Sequence, residues 1–197
     1  IDEGLRQYMM SVYNYMASGL ALTGLVAYML FQATAVTGPT GDIVGLTSLG
    51  VTLYTGPMMW VVALAPLGIV MYMSFGIRNM SASRAQTMFW IFAFLMGLSL
   101  STIFITYTGA SIARVFFITA STFGAMSIYG YTTKQDLSSW GNLLFMALFG
   151  IILASFVNIF LQSSGLYWLI SYIGVLVFVG LTAYDTQKIK KLALNLL

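Results

Sequence analysis

The sequence contains neither cysteine nor histidine, and charged residues are scarce. Without cysteine there are no disulfides and no thiol chemistry, and without histidine the usual zinc sites and serine–histidine catalysis are excluded. Charged residues make up 7% of the 197 residues, whereas an ordinary soluble domain has about a quarter. We therefore expect neither an enzyme nor a bound cofactor. A cation would have to rely on carbonyls, hydroxyls and one or two of the five acids, which are Asp2, Glu3, Asp42, Asp136 and Asp185.

The chain has long apolar runs instead. Hydrophobic residues make up 59% of it and the mean hydropathy is +0.91, which indicates a membrane protein. A membrane-spanning helix needs about 20 mostly apolar residues. Six stretches qualify, so we predict an all-α, polytopic transmembrane helix bundle, with residues 1–197 forming a single domain surrounded by the lipid bilayer. The predicted helices are Tyr15–Val36, Pro57–Phe75, Ala85–Tyr107, Ile112–Tyr131, Leu143–Leu161 and Leu166–Tyr184.

The placement of positive charge predicts the orientation in the membrane. The net charge is +3, but no basic run interleaved with aromatic residues is present, so we do not expect nucleic-acid binding. Short cytoplasmic loops are enriched in lysine and arginine. A cytoplasmic N-terminus leaves Arg114 outside and places the other basic residues inside, which are Arg6, Arg78, Arg84, Lys134, Lys188, Lys190 and Lys191.

Two segments leave alternatives open. The connection Thr37–Gly56 is rich in glycine and threonine and carries Asp42 without a cation. We interpret it as an ordinary outer loop, with a partial interfacial helix or a lid as the alternative. Residues 192–197 are too few to cross a membrane, so they are either the remnant of a further helix or a continuation of the sixth one.

Small residues recur four positions apart within the predicted helices. Such pairs let two helix backbones approach closely, which favours association where lipid removes the hydrophobic drive. They predict helix contacts at three places, which are Ala93-Gly97-Ser101, Ala120-Gly124 and Gly150-Ala154.

The candidate functional residues are the few polar side chains within or at the ends of the apolar runs, because lipid makes an unpaired charge costly. Asp185 ends the last run, either as an ion-pathway acid or as an interfacial helix end paired with Lys188 one turn on. Arg78 ends the second run, either as a topology-setting cation or as a partner of Asp185 that protonation would release. Asn158 lies within the fifth run, where its amide either bonds a neighbouring helix or borders an ion pathway.

The segment Tyr184-Asp185-Thr186-Gln187-Lys188-Ile189-Lys190 resembles the signature of the Bax-inhibitor-one (transmembrane Bax-inhibitor motif, TMBIM) family. It closes a helix rich in valine, phenylalanine and glycine. Two further segments, residues 13–24 and residues 155–160, resemble bacterial YccA-like members of that family. The resemblance covers nearly the whole chain.

The resemblance implies a seven-helix fold around a central hydrophobic helix, in the bacterial inner membrane. Family members are described as pH-sensitive calcium leak channels, in which an acid pairs with an aspartate of the seventh helix and an arginine ending the second helix latches the closed form. By motif, Asp185 takes the role of pH sensor and transient Ca²⁺ ligand, and by position Arg78 takes the role of latch. Residues 1–197 hold no counterpart of the second acid, which weakens the predicted calcium site.

Two functional hypotheses follow. The first is a passive Ca²⁺ leak gated by protonation of Asp185 and by its pairing with Arg78. The second is a modulator or interaction partner of the membrane-bound AAA protease FtsH, with which YccA-like members are associated, and without transport activity. The second hypothesis predicts that the segment before Tyr15 and the cytoplasmic loops matter more than Asp185.

Overall fold

The computed structural model describes residues 3–196, which form two compact units. We call Ser11–Arg114 the N-unit, and we call the described residues 115–196 together with residues 3–10 the C-unit. The first helix, α1, is Glu3–Thr34, so its first turns belong to the C-unit and the rest belongs to the N-unit. The single-domain organisation stays a prediction.

Six helices among the described residues are long and apolar enough to cross a membrane. Their apolar side chains largely face outward. In Ser138–Leu161, the most apolar window has a mean hydropathy of 2.5, and none of it is buried inside the protein. Exposed apolar surface of this extent is unfavourable in water and suits lipid. The predicted all-α, polytopic class is confirmed.

The N-unit follows α1 with a hairpin and four further helices. Strands β1 (Ala35–Thr37) and β2 (Ile43–Leu46) pair antiparallel. The helices that follow are α2 (Ser48–Tyr54), α3 (Gly56–Gly76), α4 (Ala82–Leu100) and α5 (Ile103–Thr106), with a 3-10 turn, Ile77–Asn79, between α3 and α4.

Helices α1 and α4 approach closely where the sequence predicts a small-residue contact. A Cβ atom on Gly97 would lie 2.8 Å from the carbonyl oxygen of Thr23 and 2.6 Å from Cβ of Val26. One turn away, the Thr23 hydroxyl donates to the carbonyl of Ala93 at 2.8 Å. Ala93 and Gly97 are both buried. The contact predicted around Gly97 is therefore confirmed, because no larger residue would fit between these backbones.

The connection Thr37–Gly56 is not an ordinary loop. It contains β2 and α2, so the partial-helix alternative is correct and the simple-loop interpretation is wrong. Thr47 anchors it: its hydroxyl accepts from the N–H of Gly50 at 3.2 Å, which caps α2, and lies 3.0 Å from the carbonyl of Ala33 in α1. This side chain ties the start of α2 to the last turn of α1.

Three hydroxyls hold α2 against α1 and α4. The hydroxyl of Tyr54, in α2, lies 2.7 Å from that of Ser101 and 3.2 Å from that of Thr34. Thr34 and Ser101 are fully buried, each with 0% exposure. We call Thr34, Tyr54 and Ser101 the hydroxyl cluster. It is uncharged, and each buried hydroxyl in it is paired.

The third predicted helix, Ala85–Tyr107, is interrupted at Ser101 and Thr102. Their hydroxyls donate to the carbonyls of Leu98 at 2.6 Å and of Ser99 at 3.2 Å. Such bonds to nearby backbone compete with the regular helical pattern. The helical path resumes as α5 after this two-residue turn.

The C-unit contains three long helices. They are α6 (Gly109–Thr132), whose first residues lie in the N-unit, α7 (Ser138–Leu161) and α8 (Ser164–Leu196). Gln162 ends α7 in the left-handed conformation, with φ of 49°, and the chain then turns directly into α8. Helix α8 continues without interruption to Leu196, so described residues 192–196 belong to the sixth long helix and not to a separate one.

Glycines bring the C-unit helices together, although not at the predicted positions. A Cβ on Gly130 of α6 would collide with the backbone of Ala183 in α8. A Cβ on Gly141 of α7 would lie 2.5 Å from the ring of Tyr184. In contrast, a Cβ on Gly124 or Gly150 would meet nothing within 4 Å, so the predictions at those two glycines are wrong. Spacing finds small pairs but does not tell which face a helix turns to its neighbour.

Candidate functional site

Asp185 lies within α8, eleven residues before the described end of that helix at Leu196. Its side chain is exposed, and within residues 3–10 and 115–196 it makes neither a hydrogen bond nor an ion pair. Lys188 is one turn further on, but its ammonium lies over the ring of Tyr184, 5.9 Å from the centroid. Asp185 and Lys188 thus form no ion pair within 4 Å, the alternative that the sequence offers, although the ammonium of Lys188 still acts electrostatically on the carboxylate.

A groove runs between α6 and α8 on one side of the C-unit. Its volume is about 590 Å³, and α7 contributes a single lining residue, Ile151. We call it the α6–α8 groove. Its lining in α6 extends from Val115 to Met126, and its lining in α8 extends from Ile170 to Thr182.

The walls of the α6–α8 groove are apolar despite several hydroxyls. Thr122 donates to the carbonyl of Ile118, and Ser171 and Thr182 donate to carbonyls of their own helix, all at 2.9 Å. Since these donors are occupied, they leave mainly methyl groups and aliphatic side chains to face the groove.

Asp185 continues the stripe of α8 that lines this groove. The lining residues Ser171, Val175, Phe178 and Thr182 follow one another at spacings of three or four, which places them on one helix face. Asp185 is the next residue in that series. The acid therefore lies one turn beyond Thr182, the last residue of α8 that lines the apolar groove.

Gln187 joins this end of α8 to the connection between α6 and α7. Its side-chain oxygen accepts from the N–H of Leu137 at 2.9 Å, and its side-chain nitrogen donates to the carbonyl of Gln135 at 2.7 Å. Gln187 and Leu137 are both buried, with 7% and 8% exposure. One amide thus satisfies two backbone groups that have no partner in a regular helix.

Two lysines that follow Gln187 in α8 also bond to this part of the C-unit. Lys190 donates to the carbonyl of Tyr131 at 2.7 Å and lies 4.9 Å from the centre of the Tyr131 ring. Lys191 bonds to the carboxylate of Asp136 at 2.5 Å and to the hydroxyl of Ser138 at 3.0 Å. We call Gln187, Lys190 and Lys191, with their partners in residues 131–138, the clasp.

Asp136 stays charged in the clasp over the whole neutral range. Its hydrogen bond from Lys191, followed by those from Ser138, lowers the pKa of this carboxyl from 3.8 to about 2. Asp136 also accepts from the N–H and the hydroxyl of Ser138, the first residue of α7. The carboxylate therefore serves both the start of α7 and the end of α8.

Tyr184 completes the attachment of α8. Its ring packs on Gly141 and lies edge-on to Phe145, with 6.2 Å between ring centroids. Within the family-like segment, Tyr184, Gln187 and Lys190 all face α6, α7 or their connection. Sequence analysis missed Gln187 because an amide at a helix end looks like an ordinary interfacial residue. The signal was present in its position, one turn from Tyr184 on the same face.

Arg78 lies in the 3-10 turn Ile77–Asn79 of the N-unit, and its side chain is exposed. Asp185 lies in the C-unit, so the pairing of these two residues stays a prediction. Asn158 lies in the last turn of α7, and its side-chain oxygen accepts from the N–H of Ser163 at 3.0 Å. Its partner is thus the turn after its own helix, whereas sequence analysis expected another helix or an ion pathway.

A permanent metal site would need more acids than this region offers. Within residues 3–196, no group of three or more acidic, cysteine or histidine side chains is placed to hold a metal ion. Ca²⁺ takes six to eight oxygen ligands when it is held firmly. An isolated carboxylate such as that of Asp185 suits a brief contact with a passing cation better than storage of one.

Comparisons with known proteins agree with this architecture. The family described as "Inhibitor of apoptosis-promoting Bax1" matches residues 5–195. The chain is 48% identical over 193 residues to the inner membrane protein YbhL of Escherichia coli strain K12, covering 96% of this chain and 76% of YbhL. It is 31% identical over 190 residues to a membrane protein of Streptococcus pyogenes serotype M3, covering 96% of this chain and 78% of the relative. No solved structure matches it. The predicted family is confirmed: the chain is a member of the Bax inhibitor-1 family of multi-pass membrane proteins.

Proposed function

We propose that this protein is a passive, pH-sensitive Ca²⁺ leak in which protonation of Asp185 controls conduction. The observation that carries the proposal is the position of this acid. It lies one turn beyond the end of the apolar α6–α8 groove, exposed and without a side-chain partner among the described residues of the C-unit.

The proposed attraction of a cation follows from the charge of Asp185, which lies beside an apolar groove. An ionised carboxylate at the end of an apolar passage attracts a cation, and a single carboxylate releases it again, which conduction requires. Binding a proton removes that charge and so ends any ion pair that the carboxylate forms. An acid inside a membrane segment that has no structural partner is a functional-site hypothesis on energetic grounds.

Arg78 has the part of a latch in this proposal. In the closed form its guanidinium would pair with the ionised carboxylate of Asp185, and protonation of the acid would release it. The relative YbhL is an inner membrane protein, which supports the same location for this protein, and the distribution of lysine and arginine favours a cytoplasmic N-terminus.

The test is Ca²⁺ flux into proteoliposomes measured between pH 6 and pH 8. We expect flux that depends on pH in the wild type and loses that dependence in Asp185→Asn, which keeps the shape of the side chain and removes the charge. The matched control is Asp42→Asn, which alters an exposed acid whose side chain accepts from the hydroxyl of Thr40 at 2.7 Å. An unchanged pH response in Asp185→Asn would refute the gating role.

The second candidate is a modulator of the membrane protease FtsH. It is favoured by the first turns of α1, where Glu3, Arg6 and Gln7 are exposed while Leu5 and Met9 are buried in the C-unit. A fixed helix with an exposed polar face provides a surface that a partner protein can contact. Capture of FtsH by the wild type and its loss in Arg6→Glu, together with silent flux assays, would replace the leak by this function.

A further inference from the structure

We infer that Gln187 is a positioning residue, which sets the location of Asp185 by fixing the C-terminal part of α8 to the connection between α6 and α7. The two residues are two positions apart on one helix. Asp185 makes no contact with the clasp itself, so its place depends on how the helix turn that carries it is held.

Glutamine is the side chain that this position requires. Its amide accepts from the N–H of Leu137 and donates to the carbonyl of Gln135 at the same time. An ionised glutamate accepts but cannot donate, and methionine, of similar length, does neither. Because Leu137 and Gln187 are buried, losing the bond leaves a backbone donor without water to replace the partner.

The hydrogen bonds of the clasp should not change with pH in the neutral range, where protonation of Asp185 is proposed to control conduction. The charged residues in segments 131–138 and 183–196 are the lysines 134, 188, 190 and 191 and the acids Asp136 and Asp185, and the first turns of α1 add Glu3 and Arg6 to the same unit. The carboxylate of Asp136 is already ionised and bonded to Lys191 throughout that range. The amide of Gln187 carries no charge and does not titrate. A proton taken up by Asp185 therefore leaves the clasp intact.

It follows that α8 does not slide along α7 when Asp185 changes charge. The end of α6, the start of α7 and the C-terminal part of α8 respond together, as one body. This consequence rests on the proposed function, whereas the positioning role of Gln187 does not.

The absence of native cysteine allows a direct test. Asp185→Cys introduces one thiol, whose rate of modification by a charged methanethiosulfonate reagent reports its surroundings. Adding Gln187→Met should change that rate by about fivefold or more, because the helix turn that carries residue 185 loses both of its hydrogen bonds to the connection. The matched control is Gln86→Met, which removes an amide bonded at 2.7 Å to Tyr15 in the N-unit and should leave the rate nearly unchanged. Equal rates with and without Gln187→Met, or equal effects of both substitutions, would overturn the inference.

Hydrogen exchange at the amide of Leu137 provides a second measurement. Gln187→Met should speed this exchange, whereas Gln187→Glu, which keeps the acceptor, should speed it less. The glutamate variant replaces the methionine variant in the test if the latter does not fold. Exchange that is unaffected by either substitution would contradict the bond on which the inference depends.

Flux assays separate this inference from the proposed function. If the wild type conducts, Gln187→Met should shift the pH midpoint of flux, while Gln86→Met should not. If the wild type is silent, the leak is refuted, and the thiol modification rates still decide whether Gln187 positions residue 185.

Discussion

The N-unit and the C-unit each tie several helices together near one end, but with different chemistry. In the N-unit the hydroxyl cluster joins α1, α2 and α4 through three uncharged side chains, two of them fully buried. In the C-unit the clasp joins α8 to the connection between α6 and α7 through an amide and two lysines. Both arrangements satisfy polar groups that lipid could not satisfy.

The difference concerns what can disturb each arrangement. The hydroxyl cluster is held by hydrogen bonds between neutral side chains and contains no ion pair, so salt should not affect it. The clasp contains an ion pair with 47% and 67% exposure of its two side chains, which salt can screen. The buried amide of Gln187 gives the clasp a core that salt does not reach. The unit that carries Asp185 is thus the one with an exposed ion pair that salt can weaken.

The largest loss of stability should come from filling a site where two helix backbones approach each other at a glycine. Gly130→Val would drive a side chain into the backbone of Ala183, which rigid helices cannot avoid. Overpacking of this kind costs about 1–3 kcal/mol and occasionally more. We expect a large fall in the melting temperature in detergent. Gly124→Val, on the same helix with open space around it, is the control, and an equal loss in both variants would show that the α6–α8 contact is not limiting.

A smaller effect should follow from opening the hydroxyl cluster. Tyr54→Phe removes one hydroxyl, but Thr34 and Ser101 keep bonds to carbonyls of their own helices. The expected loss is therefore about 1 kcal/mol, the net worth of a typical hydrogen bond. Thermal unfolding in low and high salt should give the same loss. A loss that depends on salt would show that this part of the N-unit is not held by neutral groups alone.

The smallest effect should come from the exposed ion pair of the clasp. The pKa of Asp136 is lowered from 3.8 to about 2, so its pairing contributes stability above pH 3.8, and that contribution disappears as the pH falls through about 2. Lys191→Met should move the pKa of Asp136 back toward its ordinary value, as carboxyl NMR titration would detect. Stability between pH 6 and pH 8 should change little. Lys188→Met, which removes a lysine not bonded to Asp136, is the control, and an equal change there would refute the specific bond.

Several elements could be predicted from the sequence because their signal is local. Apolar runs identify the six long helices, and a lone acid at the end of the last run identifies Asp185 as the residue to examine. The hairpin and α2 were missed because Thr37–Gly56 has no periodic pattern, and its order comes from the anchoring of Thr47 on α1. The interruption between α4 and α5 was missed because hydropathy does not reveal that the hydroxyls of Ser101 and Thr102 bond to nearby backbone carbonyls.

The sequence by itself determined that this is a multi-pass helical membrane protein and which family it belongs to, since twenty-residue apolar runs and a short signature need no knowledge of neighbours. Only the tertiary structure decided which glycines bring helices together, that Gln187 bonds a distant connection, and that Asp185 continues the stripe lining a groove. These facts depend on the rotation of each helix about its axis. That rotation is set by packing between segments far apart in the chain, and a membrane-spanning helix that is apolar all round does not reveal it.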